Sequence, residues 1–442
     1  MQENRLRSGS LSFIEVLAAA LALIGLSMTP VLIAPYMFGA AGNASWLAYV
    51  FGAVMMLLVA VNLNHFAKRA TGAGSMFLYA AAELGPTLGG LAGWSLIWAY
   101  VFVGAANFGA QAVFIGQVGS AFGATVPALI VMAALGIVCW LLAVRDIALS
   151  TIVMLVMESI SVAIICVLIG TVLVHAGPHI DLAQLHLDGF GKASIGLGIA
   201  TAIFSFVGFE SATAFGAEAS NPLRTIPRAV VFSVLIASAF FILAMYAEIL
   251  GLGGSKPPLD QLSSPLWNLA DAVNVGYLKI PIVIGAICSS FSVALACVNT
   301  CARIVLPMAE GGILPRSLAA VHPRFHTPHV ALAATVVVMF AIGLGMYVEH
   351  VAPIDIFNFC GTLSSLSFIA VYLLISIAAP RYLKRIGELR AIDIVVAVLA
   401  CVCLVGTGIT LFYPSPPPPT NWFPYLFVVY LGVGMLIQKR RA

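Results

Sequence analysis

Long apolar segments separated by short polar stretches follow one another along almost the whole chain. One of them, "VPALIVMAALGIVCWLLAV" (Val126 to Val144), contains no charged residue, and it is close to the roughly 20 residues that a helix needs to span a bilayer. The pattern predicts an all-α polytopic membrane protein. Its twelve predicted transmembrane helices lie at residues 13–40, 46–66, 87–119, 126–144, 147–174, 194–218, 223–252, 279–308, 328–347, 353–379, 391–412 and 421–438.

The composition agrees with this interpretation. Of the 442 residues, 62% are hydrophobic and 8% are charged, whereas an average soluble protein has about 25% charged residues. So few charges could not cover the surface of a water-soluble fold. No soluble segment interrupts the predicted spans, so residues 1–442 are predicted to form a single transmembrane domain.

Lysine and arginine are distributed unevenly between the loops. With the N-terminus placed in the cytoplasm, all but three of the 20 Lys and Arg residues fall on the cytoplasmic side, the exceptions being Lys192, Lys256 and Lys279. Cytoplasmic loops of membrane proteins carry such an excess of positive charge. Both termini are therefore predicted to be cytoplasmic, and the protein is predicted to lie in the plasma (inner) membrane.

Other residue types argue against several functions. No cluster of basic residues interleaved with aromatics predicts a nucleic-acid partner, and the eight cysteines all lie inside predicted spans without the spacing of a zinc site. We therefore expect no metal and no cofactor. The eight histidines fall in loops or at span ends, which argues against a catalytic centre within the bilayer, so no enzyme is expected. A channel or a sensor is an alternative, but no charged ring, pore loop or signalling domain supports either.

Two predicted spans contain helix-breaking residues near their middle. The first has "GLSMTP" (Gly25 to Pro30), and the sixth has "FVGFE" (Phe206 to Glu210). Proline removes a backbone donor and clashes with the preceding turn. Interrupted helices at corresponding positions of two five-helix halves indicate a transporter with inverted repeats, here 1–175 and 194–379, followed by two additional helices in 391–438. Alternatively, the glycines and the proline only kink these helices.

Three motifs resemble one known family. "FSFVGFESATAFGAEASNPLRTIPRAV" (Phe204 to Val230) is similar to the sixth span and following loop of amino acid–polyamine–organocation (APC) superfamily permeases. "NTCARIVLPMAEGGILPRSLAAVHPRFHTPHVAL" (Asn299 to Leu332) resembles their eighth span, and "TGAGSMFLYAAAELGPTLGGLAGW" (Thr71 to Trp94) the start of their third. The resemblance implies a leucine-transporter-type fold: a 5+5 inverted repeat plus two C-terminal helices, with helices 1 and 6 broken.

Two motifs depart from the family pattern. The first-span break is usually G-[SA]-G-I-F, whereas this chain has Gly25-Leu26-Ser27-Met28-Thr29, and Ala309 to Gly312 replaces A-R-D-G. In relatives the first-span glycine amides hold the carboxylate of the substrate. An amine without a carboxyl group therefore remains an alternative to an α-amino acid.

The substrate is expected to bind between the two broken helices. Unpaired amides at a helix N-terminus carry partial positive charge and attract anions, while aromatic faces or carboxylates hold an ammonium group. By resemblance, Phe204 occupies the position of an aromatic gate, although Phe204 and Phe209 could also be ordinary packing residues. Asn107 and Thr362 could line the cavity or join helices. The full predicted substrate-binding set is Ser27, Met28, Thr29, Asn107, Phe204, Ser205, Gly208, Phe209, Glu210 and Thr362.

Two glutamates lie deep within predicted spans, where a charge is costly unless it is paired or protonated. Glu158 falls where some sodium-independent relatives have a fifth-span lysine and where sodium-coupled relatives bind their ion. Glu158 and Glu210, with Ser289 and Ser292 of the eighth span, are the predicted coupling or proton residues. Alternatively, Glu210 caps freed backbone amides, and the small residues of the eighth span only allow close helix packing.

The sequence predicts a secondary active transporter that imports amino acids or related small amines by alternating access, coupled to protons. The alternative is an amino acid/polyamine exchanger. The expected partners are a small-molecule substrate, a proton or sodium ion and membrane lipid, and the sequence does not set an oligomeric state. Glu218 is expected to pair with Arg224 or Arg228.

Overall fold

The computed structural model describes residues 9–69, 75–145, 147–177, 181–185, 192–262, 264–413 and 418–439. Some residues used in the predictions lie outside these ranges, namely Arg5, Arg7, Arg440, Arg441 and the start of the motif at Thr71. The described residues form helices and no strand, apart from one isolated bridge between Leu11 and Ala219.

The helices are α1 (Phe13–Ile24), α2 (Ala34–Ala41), α3 (Ser45–Ala67), α4 (Ser75–Leu84), α5 (Pro86–Ala121), α6 (Ala128–Arg145), α7 (Ile147–Ala176), α8 (Lys192–Phe206), α9 (Pro222–Leu252), α10 (Pro265–Ala272), α11 (Lys279–Glu310), α12 (His329–Val348), α13 (Pro353–Arg385), α14 (Ala391–Thr410) and α15 (Phe423–Lys439).

Eleven helical stretches within the described ranges are long and apolar enough to cross a membrane. This agrees with the predicted all-α polytopic membrane protein. The first stretch, Phe13–Ala67, is 55 residues long and contains α1, α2 and α3, so the number of twelve spans stays a prediction. The predicted span limits lie close to the helix ends, because the apolar runs stop where polar and turn-forming residues begin.

The first interrupted helix starts with a capping box, in which the Glu15 backbone N–H donates to Ser12 Oγ and the Ser12 backbone N–H to the Glu15 carboxylate. It ends at Ile24, and Gly25 follows in the left-handed region at φ 64°. A π-helical turn, Thr29–Ile33, then leads into α2. The break expected from the sequence is present, but Gly25 begins it. Pro30 lies inside the π-helical turn.

The second interrupted helix is α8, which ends at Phe206 and is followed by a 3₁₀ segment, Phe209–Phe215. Gly208 joins them at φ 116°, a conformation open to glycine and unfavourable for other residues. A Cβ atom on Gly208 would lie 2.8 Å from the backbone nitrogen of Ile24. The two breaks therefore pack directly against each other.

The interrupted helices lie at the centre of the helix bundle. In the segment Gly198–Phe215, 83% of the residues are buried, compared with 22% in Ala391–Thr410. The interrupted segments pack against α3, α7, α9 and α11, while α6, α12 and α15 lie farther out and α14 packs on α8 with most of its side chains exposed. The outer helices expose large apolar side chains such as Val398, as expected for a surface that faces lipid.

We expect Gly208→Ala to destabilise the protein. The substitution adds a Cβ against Ile24 and forces a positive φ on alanine, which costs about 1–3 kcal/mol for the backbone alone. The midpoint of thermal unfolding in detergent should fall clearly. Gly170→Ala on α7 is the matched control, because no atom lies within 4 Å of the added Cβ. Equal midpoints for the two variants would contradict the tight contact between the breaks.

Candidate functional site

A small closed cavity lies between the two breaks. Its volume is about 30 Å³, room for a water molecule or two and too little for an amino acid. Met28 of the first break, Phe204 and Val207 of the second, and Asn107 of α5 contribute to its wall. The structure therefore brings three of the predicted substrate-binding residues, Met28, Asn107 and Phe204, to one cavity.

A larger cavity of about 550 Å³ lies on the other side of Phe204. Thr362 and Asp355 of α13 line it, and Asp355 is its charged residue. Phe204 and Phe357 line both cavities, with their ring centroids 6.0 Å apart. Ile33 also lines both cavities, so the two phenyl rings and Ile33 separate the large cavity from the small one.

Several polar atoms near the first break have no hydrogen-bond partner within the described part of the chain. They are the hydroxyl oxygens of Ser27 and Thr29 and the side-chain oxygen of Asn107. The Asn107 amide nitrogen donates to the Val103 carbonyl at 2.9 Å, so its oxygen is the free end. Buried polar atoms without partners are uncommon and costly, and they are available to a polar ligand.

Other predicted binding residues point away from both cavities. The Ser205 hydroxyl lies 3.2 Å from the Tyr49 hydroxyl of α3 and donates to the Thr201 carbonyl. Phe209 packs on Tyr372 with centroids 5.5 Å apart, and Gly208 lies against α1. In this conformation these residues hold the broken helix in place, and a role in binding stays a prediction.

Glu210 is fully hydrogen-bonded. Tyr100 of α5 donates to Oε1 and Tyr372 of α13 to Oε2, each at 2.7 Å, and the Gly208 backbone N–H donates to Oε2 at 3.1 Å. This arrangement favours the alternative in which Glu210 caps the break. The sequence analysis missed both tyrosines. A buried carboxyl needs hydrogen-bond donors, and this need was the signal in the sequence that could have pointed to tyrosines on other helices.

Glu158 reaches the other break. The backbone N–H of Ser27 donates to Glu158 Oε1 at 3.2 Å, while Oε2 has no partner among the described residues. Ser289 of α11 lies beside this carboxyl, and Ser292 donates to the Met154 carbonyl of α7 at 3.3 Å. The fifth and eighth predicted spans therefore meet the first break, as expected.

The predicted pairing of Glu218 is wrong. Glu218 accepts two hydrogen bonds from Arg303 of α11, at 2.5 Å from Nε and 2.9 Å from Nη2, and both side chains are 1% exposed. Arg224 and Arg228 lie on the exposed side of α9, because α9 starts at Pro222 and turns them outward while Glu218 points into the bundle. Arg303 also lies over the Phe215 ring, 5.1 Å from its centroid.

A model of the amino acid permease family matches residues 16–429. The chain belongs to this family. An uncharacterised transporter of Mycobacterium tuberculosis is 30% identical over 325 residues, 70% of each chain. The methylthioribose transporter and the branched-chain amino acid permease of Bacillus subtilis are 25% and 23% identical, each covering 90% of this chain and 85% of the relative.

These findings confirm the resemblance drawn from the motifs. The family consists of transporters, and its members among the relatives include amino acid and polyamine permeases. The chain is thus a multi-pass membrane permease.

Arg303→Ala should destabilise the permease strongly, because it leaves the Glu218 charge buried without a partner, at a cost of about 3–5 kcal/mol. Arg224→Ala, which removes an exposed arginine, is the control and should leave the thermal unfolding midpoint nearly unchanged. A double variant, Glu218→Leu with Arg303→Met, should regain part of the loss because no unpaired charge remains. An unchanged midpoint in Arg303→Ala would contradict the buried ion pair.

Proposed function

We propose that the permease is a secondary active transporter that imports an amino acid or a related small amine across the plasma membrane by alternating access. The observation that carries this proposal is the closed cavity between two interrupted helices, with a larger cavity beyond Phe204 and Phe357. Backbone groups freed within a bilayer are tolerated where they meet a ligand, an ion, water or protein. A substrate at that position would contact both breaks.

Access to the small cavity differs on its two sides. On one side the Phe204, Phe357 and Ile33 side chains separate it from the large cavity. On the other, the Leu11 backbone N–H donates to the Glu218 carbonyl at 3.0 Å, the Ser220 N–H donates to the Leu11 carbonyl at 2.8 Å, and Glu218 pairs with Arg303. With the N-terminus in the cytoplasm, the side held by Leu11, Glu218 and Arg303 faces the cytoplasm and is closed. The large cavity then lies toward the outside, and only side chains separate it from the small cavity.

The proposed topology has twelve transmembrane helices and both termini in the cytoplasm. The stretch Phe13–Ala67 turns at Gly42 to Ala44, and each part on either side of this turn is long enough for one crossing of about 20 residues. One transmembrane domain over 1–442 then consists of inverted repeats in 1–175 and 194–379 and two further helices in 391–438. The interrupted helices take equivalent places in the two repeats, which supports this division.

Proton coupling through Glu158 fits the contacts around the first break. One carboxylate oxygen accepts from the Ser27 amide and the other is free to bind a proton. Gain or loss of that proton changes the charge directly beside the predicted substrate residues Ser27 and Met28. A sodium ion held by the free oxygen and the Ser289 hydroxyl is the alternative coupling ion, and exchange of two organic substrates is the alternative mechanism.

The substrate can be identified with purified protein and a panel of leucine, arginine, putrescine and methylthioribose. A ligand at about 100 times its Kd stabilises its binder by about 2.7 kcal/mol, so a substrate should raise the thermal unfolding midpoint. A proton-coupled importer should then accumulate that compound in empty vesicles when the outside is acidic. An exchanger should need vesicles preloaded with substrate. Failure of the whole panel in both assays would contradict an amino acid or amine carrier.

Glu158→Gln should weaken the pH dependence of uptake and leave the protein folded. Glutamine keeps an oxygen that accepts from the Ser27 amide but cannot exchange a proton. Initial uptake rates across a range of external pH should become nearly flat. Glu349→Gln, at an exposed position after α12, is the control and should keep the wild-type profile. An unchanged profile in Glu158→Gln would remove this carboxyl from the coupling step.

A further inference from the structure

A third glutamate within the bundle was not singled out by the sequence analysis. Glu248 lies one turn before the end of α9 and is 1% exposed. Neither of its carboxylate oxygens has a hydrogen-bond partner in the ranges that the structure describes. A buried carboxylate that is both charged and unpaired is strongly unfavourable, so the group must lose its charge or gain a cation.

No described basic residue forms an ion pair with Glu248: Lys256, which follows α9 at the same end, is exposed, and Lys279 pairs with Asp271. Arg224 and Arg228 of α9 lie at its opposite end, and 20 residues of helix correspond to about 30 Å. The elements packed against α9 are α1, α3, α7, α10, the π-helical turn, the 3₁₀ segment and the short segment 181–185, whose Asp181 N–H donates to the Tyr246 hydroxyl of α9, and they carry no Lys or Arg. Asp181 and Tyr246 itself are ionisable groups close to this end of α9. The other ionisable groups of these elements are Glu15 of α1, Tyr49 and His65 of α3, Glu158, Cys166 and His175 of α7, Asp271 of α10 and Glu210 of the 3₁₀ segment.

Of these groups, Tyr49 is the one that interacts with Glu248. Within the described residues, no set of three or more His, Cys, Asp or Glu side chains is arranged to hold a metal ion. A metal cation needs several ligand atoms, whereas one oxygen is enough to bind a proton. The surroundings of Glu248 therefore fit a proton and not a metal ion.

The same tyrosine connects Glu248 to the second break. Its hydroxyl lies 3.2 Å from the hydroxyl of Ser205, which is on the last turn of α8. The Tyr49 ring also packs on Phe206 and Phe241, with centroid distances of 6.4 and 5.6 Å. Phe241 precedes Glu248 by two helical turns and so lies on the same face of α9. Tyr49, Phe206 and Phe241 form one cluster that joins α3, α8 and α9 directly before the break.

We propose that Glu248 is a second proton-binding site of the permease, whose carboxyl carries a proton in this conformation and releases it when α8 moves. Movement of α8 would shift Ser205 and Phe206, which contact Tyr49, and so would change the surroundings of the carboxyl. Glu158 contacts the first break and Glu248 is linked to the second, so each broken helix has a titratable carboxyl of its own. The coupling part of this proposal rests on the proposed transport function, whereas the protonation of Glu248 does not.

Infrared spectroscopy tests the protonation without any substrate. The full chain is reconstituted in vesicles of phosphatidylcholine and phosphatidylglycerol, and the carbonyl band of protonated carboxyl groups is recorded at neutral pH. Glu248→Gln should lose one component of this band, and the exposed control Glu349→Gln should keep it. A band that is identical in Glu248→Gln and the wild type would overturn the proposal.

Folding of two neutral variants is a second test of the same point. Glutamine and methionine both resemble the uncharged side chain in size, so Glu248→Gln and Glu248→Met should fold and elute as the wild type does. Failure of both variants to fold would mean that the native group is charged and paired, which contradicts the proposal.

Transport tests the coupling. With whichever of leucine, arginine, putrescine or methylthioribose the wild type carries, Glu248→Gln should keep counterflow in preloaded vesicles and lose the accumulation that a pH gradient drives in empty ones. Wild-type accumulation in Glu248→Gln would overturn the coupling role. Absence of any transport by the wild type would overturn the proposed function instead, while the infrared result still decides whether Glu248 carries a proton.

Discussion

The contact between two interrupted helices is the constraint on which the rest of this structure depends. Each break frees backbone amides at a depth where water cannot satisfy them. A glutamate accepts from one such amide at each break: Glu158 from Ser27, and Glu210 from Gly208. Because Gly208 lies against Ile24, the two breaks form one polar centre within the bundle, and the helices around it supply the hydrogen-bond partners that this centre needs.

The hydrogen bonds of Glu210 and Glu158 differ. Glu210 is held by two tyrosines from α5 and α13 in addition to its own backbone, so its oxygens are fully used. Glu158 keeps one oxygen free beside the break. A fully bonded carboxyl resists change in its surroundings, whereas a partly bonded one can respond to a proton or an ion.

The barriers on the two sides of the small cavity also differ in kind. The apolar side chains of Phe204, Phe357 and Ile33 separate it from the larger cavity, and such side chains can rotate without breaking a hydrogen bond. The opposite side is held by backbone hydrogen bonds of Leu11 and by the buried pair of Glu218 and Arg303. Opening that side requires two charges to be separated in a medium of low polarity, which is costly. The two sides are therefore suited to open by different movements.

The sequence by itself determined the helices, their limits and the positions of both breaks, because bilayer spans need long apolar runs and because glycine and proline act on the local backbone. The resemblance to the family also placed Glu158 where sodium-coupled relatives bind their ion. Only the tertiary structure decided that Tyr100 and Tyr372 bind Glu210, that Arg303 binds Glu218, and that Glu248 has no hydrogen-bond partner among the described residues. The hydrogen bonds of Glu210 and Glu218 with these side chains join residues more than 80 positions apart. Their geometry, like the surroundings of Glu248, depends on how the helices are rotated and packed, which a local sequence pattern does not show.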